Sequence, residues 1–129
     1  MRRVLKQLIS SACLVLGLTG YASAQDYPNR SLRLIVAFPA GGGSDIVGRL
    51  LALKLGERPG QQVVVENRAG AGGSIGTEAG VRAASDGYTL LLGGTSEIAV
   101  NPHIYKLTYD TTKDLIPVVP AAHYICGGV

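Results

Sequence analysis

The sequence predicts an α/β fold built on a parallel sheet, and three observations predict it. Apolar runs of strand length occur at residues 32–38, 62–66 and 88–92. Each run ends in a glycine-rich loop, and each loop leads into residues spaced as on a helix. Strands separated by helices pair in parallel and bury both faces, so their apolar runs are continuous rather than alternating.

The elements follow in chain order. Arg2, Arg3 and Lys6 make a basic start, residues 8–18 an apolar stretch, and Ala22, Ser23 and Ala24 a small-residue close. That order reads as a secretory signal peptide at 1–24, with an apolar run too short to span a bilayer. Cleavage is expected after Ala24 and the product in the periplasm. Cys13 precedes Leu14, Leu16 and Leu18 instead of closing the apolar run, so it is not placed for lipid attachment.

Residues 25–129 are then 105 in number, enough for one modest core. The full chain carries a formal +3, but nine basic residues face nine acidic ones once Arg2, Arg3 and Lys6 are removed. No basic surplus is left to attract nucleic acid or an anionic membrane. Cys126 has no second cysteine to pair with, and His103 and His123 are not at ligand spacing from it. Neither a metal nor a cofactor is expected.

The first strand, 32–38, is ended by Pro39 and followed by Ala40, Gly41, Gly42 and Gly43. Ser44 stands as a helix cap before 45–55, where Ile46, Val47, Leu50 and Leu51 share a face and Gly56 is placed to stop the helix. The second strand, 62–66, leads into a loop at 67–73, a capping Ser74 and a small alanine-rich helix over about 75–84, suited to close packing. Asp86 and Gly87 make a turn, 88–92 a third strand, 93–96 a third loop, and 97–100 a short helical segment. Residues 107–114 read as loop, and 115–119 as the start of a strand that proline interrupts.

The carboxyl ends of parallel strands share one edge, so all three loops should converge there. Glycine leaves backbone amides approachable, and a helix amino terminus adds unpaired donors with partial positive charge. Such a site holds an anion without Lys or Arg, and the loops at 40–44, 70–74 and 93–96 contain neither. Ser44, Ser74, Thr95 and Ser96 would add hydroxyls. One such loop is equally a tight turn with a serine cap, but three on one edge point to binding.

A nucleotide fits less well, because no Gly-Lys-Ser or Gly-Lys-Thr closes a loop and the spacing of Gly70, Gly72 and Gly76 is one residue too long for a dinucleotide fingerprint. Ser44 beside Asp45 has no base at hand and neither histidine lies in a glycine loop, so no enzyme is expected. The alternative left open is a small exported α/β enzyme or nucleotide-binding module using the same loops.

Five blocks in order carry a resemblance. They are Tyr27-Pro28; 32–38 with Pro39, Ala40, the three glycines, Ser44 and Asp45; Val64 to Gly73; Ala84 to Gly93; and Asn101-Pro102. Together they resemble the tripartite tricarboxylate transporter substrate-binding receptors, the Bug family. The resemblance implies a two-lobed Venus-flytrap, type II-like periplasmic-binding-protein fold, monomeric in a full-length member, that delivers a small carboxylate, such as a di- or tricarboxylate, to membrane permease subunits. It places Phe38, Ala40, Gly41, Gly42, Gly43, Ser44 and Asp45, with Gly70, Ala71, Gly72, Gly73 and Ser74, in the cleft. Family members run on past the position of Val129, so 25–129 is expected to be a truncated receptor domain, mostly first lobe, that binds weakly or not at all.

Overall fold

The computed structural model describes residues 27–57 and 62–122. The signal peptide, His123, Cys126 and the rest of 123–129 lie outside the described residues.

Three parallel strands form one sheet in the order β2-β1-β3. They are β1, Leu32–Val36; β2, Val63–Asn67; and β3, Thr89–Leu92. Their register sets Val36 beside Asn67 on one side and Leu92 on the other, so all three carboxyl ends finish level. β1 is central, and Leu34, Ile35 and Val36 are essentially inaccessible to solvent. Burying such side chains contributes about 1.5–3 kcal/mol each, which makes this strand the core.

Two helices cover the two faces. α1, Gly43–Gly56, lies against β1 and β2, and α2, Ser74–Val81, against β1 and β3. Alternate strand residues point to opposite faces. Gly48 of α1 accordingly meets Leu34, Val36 and Leu92, whereas Gly76 and Gly80 of α2 meet Ala37 and Leu91. After β3 a wide helical turn, Ser96–Val100, continues into α3, Asn101–Ile104. The loop beyond is tied back by Thr108, whose hydroxyl donates to Glu78 Oε1 of α2 at 2.7 Å, and by Thr111, which donates to Ile98 O at 3.1 Å.

The opposite end of the sheet is closed by the lead-in. Tyr27 Oη donates to Gly87 O at 2.7 Å, its ring meets Tyr88 edge-on at 5.1 Å, and Arg30 lies 4.2 Å above the Tyr88 ring. The Asp86-Gly87 turn holds as expected, with Gly87 at φ 80° and Asp86 Oδ1 accepting the Tyr88 N–H.

Four expectations fail, each for a physical reason. The buried face of α1 is Asp45, Gly48 and Ala52, while Ile46 and Leu50 are 56% and 59% exposed. A helix seated this close to β1 needs small residues at the contact: a β-carbon on Gly48 would come 2.8 Å from Val36 Cγ2. Ser44 does not cap α1; Gly42 occupies that position in extended backbone. Nor does Ser74 cap α2, whose cap is the left-handed Gly73. Finally, no strand forms over 115–119, where Ile116, Val118 and Val119 are largely exposed; the prolines remove ladder donors.

Candidate functional site

The strand ends deliver three loops to one edge, and the contacts around Gly73 show that they meet. A β-carbon on Gly73 would overlap Glu97 Cγ of the third loop's helix and lie 3.4 Å from Phe38 Cζ of the first loop. All three expected loops therefore share a wall at this glycine.

The first loop is organised from inside. The Asp45 side chain, 3% exposed, accepts the Gly41 N–H at 2.8 Å, Arg49 Nε at 2.9 Å and Asn67 Nδ2 at 3.0 Å. The same Asn67 nitrogen donates to Phe38 O at 3.1 Å, joining the end of β2 to the first loop. The Arg49 guanidinium, with the Gly41 and Asn67 donors, holds the Asp45 carboxyl down to about 2, well below its ordinary value. Asp45 is thus spent on the loop's own architecture. The amides of Gly43 and Ser44, which open α1, have no intrahelical carbonyl to bond. Ala40, Gly41, Gly42 and Gly43 are exposed, and Phe38 and Ser44 half-buried.

The second loop has an unusual backbone. Gly70, Ala71, Gly72 and Gly73 all have positive φ, at 134°, 48°, 62° and 92°. Three of the four are glycine because an L side chain rarely adopts this region; Ala71 pays for it in strain of order 1–3 kcal/mol. Gly73 N–H closes on Gly70 O at 3.0 Å, and the turn delivers the chain into α2. The Ser74 N–H likewise closes on Ala71 O, so the amides this loop leaves to an anion are those of Ala71 and Gly72, next to the amino terminus of α2. No acidic side chain bonds the amides of this loop among the described residues.

The third loop is different. Glu97, fully buried, accepts the Gly94 N–H at 3.1 Å and the Ser96 hydroxyl at 2.7 Å. Ser96 is therefore committed to an internal partner, and Thr95 is exposed. Asn101, one helical turn beyond Glu97, reaches back to the second loop, where its Nδ2 donates to Gly72 O at 2.8 Å and Ser74 Oγ at 3.0 Å.

Asn67, Glu97 and Asn101 were not among the residues expected here. Asn67 had a signal, a polar residue closing a β-branched strand; so did Glu97, an acid at the start of an otherwise apolar segment. A separate open groove of about 700 Å³ between α3 and the 105–112 loop is lined by none of the expected site residues. Among the described residues no group of three or more His, Cys, Asp or Glu side chains is placed to hold a metal.

Residues 47–129 match the sequence profile described as the tripartite tricarboxylate transporter family receptor. The chain belongs to that family. Protein BugT of Bordetella pertussis is 47% identical over 104 residues, covering 79% of this chain and 32% of BugT. A solved periplasmic transporter is 45% identical with a TM-score of 0.64, covering 67% of this chain and 30% of that one. MatC of Rhodopseudomonas palustris, solved with bound malate, is 34% identical with a TM-score of 0.65, covering 68% and 30%. The chain thus spans about a third of the length of the relatives it matches. Its α/β architecture is that of the tripartite tricarboxylate transporter receptors, and the family is one of solute receptors. Among the described residues no helix is long and apolar enough to cross a membrane.

Proposed function

We propose that this chain forms the carboxylate-holding edge of an exported receptor that captures a small organic acid for a tripartite tricarboxylate-type transporter. The observation that carries the reading is the second loop, whose Ala71 and Gly72 amides lead into the amino terminus of α2 and which meets the first loop where Gly73 lies against Phe38. A carboxylate suits such a site, because backbone donors and hydroxyls satisfy one or two oxygens without a basic side chain. Malate in the related MatC structure supports the same ligand class. The ligand's carboxylate then sits on residues 70–74 with Gly43 and Ser44 opposite; Phe38 walls the seat, and Ala40, Gly41 and Gly42 shape its rim. Thr95 faces the same edge. Membrane permease subunits are the partner, and the periplasm the compartment, after cleavage behind Ala24.

Amide chemical-shift titration of the isotope-labelled chain with malate, citrate, adipate and inorganic phosphate tests this. Acid-induced shifts concentrated at Gly43, Ser44 and 71–74 are expected. Phosphate shifting these amides more strongly than every carboxylate would overturn the ligand class.

A further inference from the structure

We propose that Asn101 is a positioning residue for the ligand's carboxylate, an inference that rests on the receptor reading above. Asn101 is 4% exposed, and its side-chain nitrogen spends both hydrogens on the second loop. The bond to Gly72 O, with Gly73 N–H on Gly70 O, fixes the Gly72-Gly73 peptide at both ends. The bond to Ser74 Oγ has a second effect. A hydroxyl that accepts from an amide must send its own hydrogen elsewhere. Asn101 therefore turns the half-buried Ser74, first residue of α2, into an outward donor at the amino terminus where the carboxylate sits.

The consequence is a polarity that a substitution of equal size inverts. In Asn101→Asp the ionised carboxylate accepts where the amide donated, so Ser74 turns its hydrogen inward and Gly72 O loses its partner. The ligand then loses the Ser74 donor although the hydroxyl is still present. Glu97, packed against Gly73, and Tyr105, near Gly72, are the titratable neighbours of this point.

A double-mutant cycle in malate affinity, read by amide-shift titration with thermal unfolding of each variant alongside, tests the idea. Ser74→Ala in the natural background should weaken malate binding about tenfold, the scale of one hydrogen bond to a charged group. In Asn101→Asp the same substitution should cost nothing further. A merely structural role for Asn101 would lower the unfolding temperature and leave the Ser74 effect at full size. Should Asn101→Asp not fold, Asn101→Ala serves the same cycle, because Ser74 there is free to turn either way and its effect should shrink. Additive losses in either cycle overturn the proposal. The titration is carried to high acid concentration so that weak one-lobe binding still registers; loops of the unsubstituted chain that then respond to no acid overturn the receptor reading itself, and this inference with it.

Discussion

Replacing Gly76 with alanine should destabilise the protein, although alanine is the better helix former. A β-carbon at this position would lie 2.6 Å from Ala37 Cα, 2.6 Å from Arg68 O and 2.8 Å from Ala37 Cβ. Comfortable carbon contacts begin at about 3.5 Å, so α2 must withdraw by roughly 1 Å from a strand that is itself central and fixed. Two of the three obstructing atoms are backbone and cannot rotate aside. Overpacking of this kind costs about 1–3 kcal/mol and sometimes more. The helix-propensity gain of alanine over glycine returns about 1 kcal/mol. Contacts of 2.6 Å to backbone put the cost at the upper end of that range, so the net expectation is a loss of about 2 kcal/mol, at roughly 4–8 °C in unfolding temperature per kcal/mol for a chain of this size. Gly43→Ala is the control: nothing lies within 4 Å of its added carbon and its φ is not positive, so the same substitution there should be neutral or slightly stabilising. Urea unfolding followed by far-ultraviolet circular dichroism compares the two. A Gly76→Ala protein as stable as Gly43→Ala, with unchanged denaturant dependence, would show that α2 is not seated on β1 as described.

Three further outcomes are expected. The Asp45 carboxyl is held at about 2 against an ordinary 3.8, so its contribution to stability is complete above about pH 4 and lost as pH falls through 2; Asp45→Asn should remove that part of the acid sensitivity in unfolding midpoints measured from pH 6 downward. Glu97→Gln keeps an acceptor for the Gly94 N–H and should be tolerated, whereas Glu97→Ala takes the acceptor from the half-buried Gly94 N–H at about 1–3 kcal/mol, the exposed Ser96 hydroxyl turning to water, a difference that thermal unfolding resolves. Leu50→Lys and Leu53→Lys, at positions 59% and 63% exposed, should change stability by no more than about 0.5 kcal/mol while reducing light scattering at high concentration; a large loss would return these side chains to the core.

The sheet and the order of elements were legible because fully buried strands leave continuous apolar runs, and 32–38, 62–66 and 88–92 each contain the observed strand apart from a residue or so at the ends. The convergence of the loops was also legible, being a property of any parallel sheet. The docking face of α1 was not. Hydrophobic spacing favours Ile46 and Leu50, but contact with β1 was decided by size, at Gly48 and Ala52, and by the pairing of Asp45 with Arg49 and Asn67. The division of labour among the loops was hidden as well. Glu97 bonds its near neighbour Gly94, but only the folded arrangement also brings it to Gly73, or Asn101 to Gly72, glycines more than twenty residues away.

The carboxylates of Asp45 and Glu97 act as tethered competitors. Each is joined by a few bonds to the amide it occupies, Gly41 and Gly94 respectively, so its effective concentration there is at least of millimolar order. A dissolved acid present at about 1 μM, with the same intrinsic affinity, would hold either amide roughly a thousandth as often as the tethered group. The second loop carries no such competitor among the described residues. Discrimination between one's own acid groups and a solute's is thereby settled by chain connectivity, before any difference in chemistry between them comes into play.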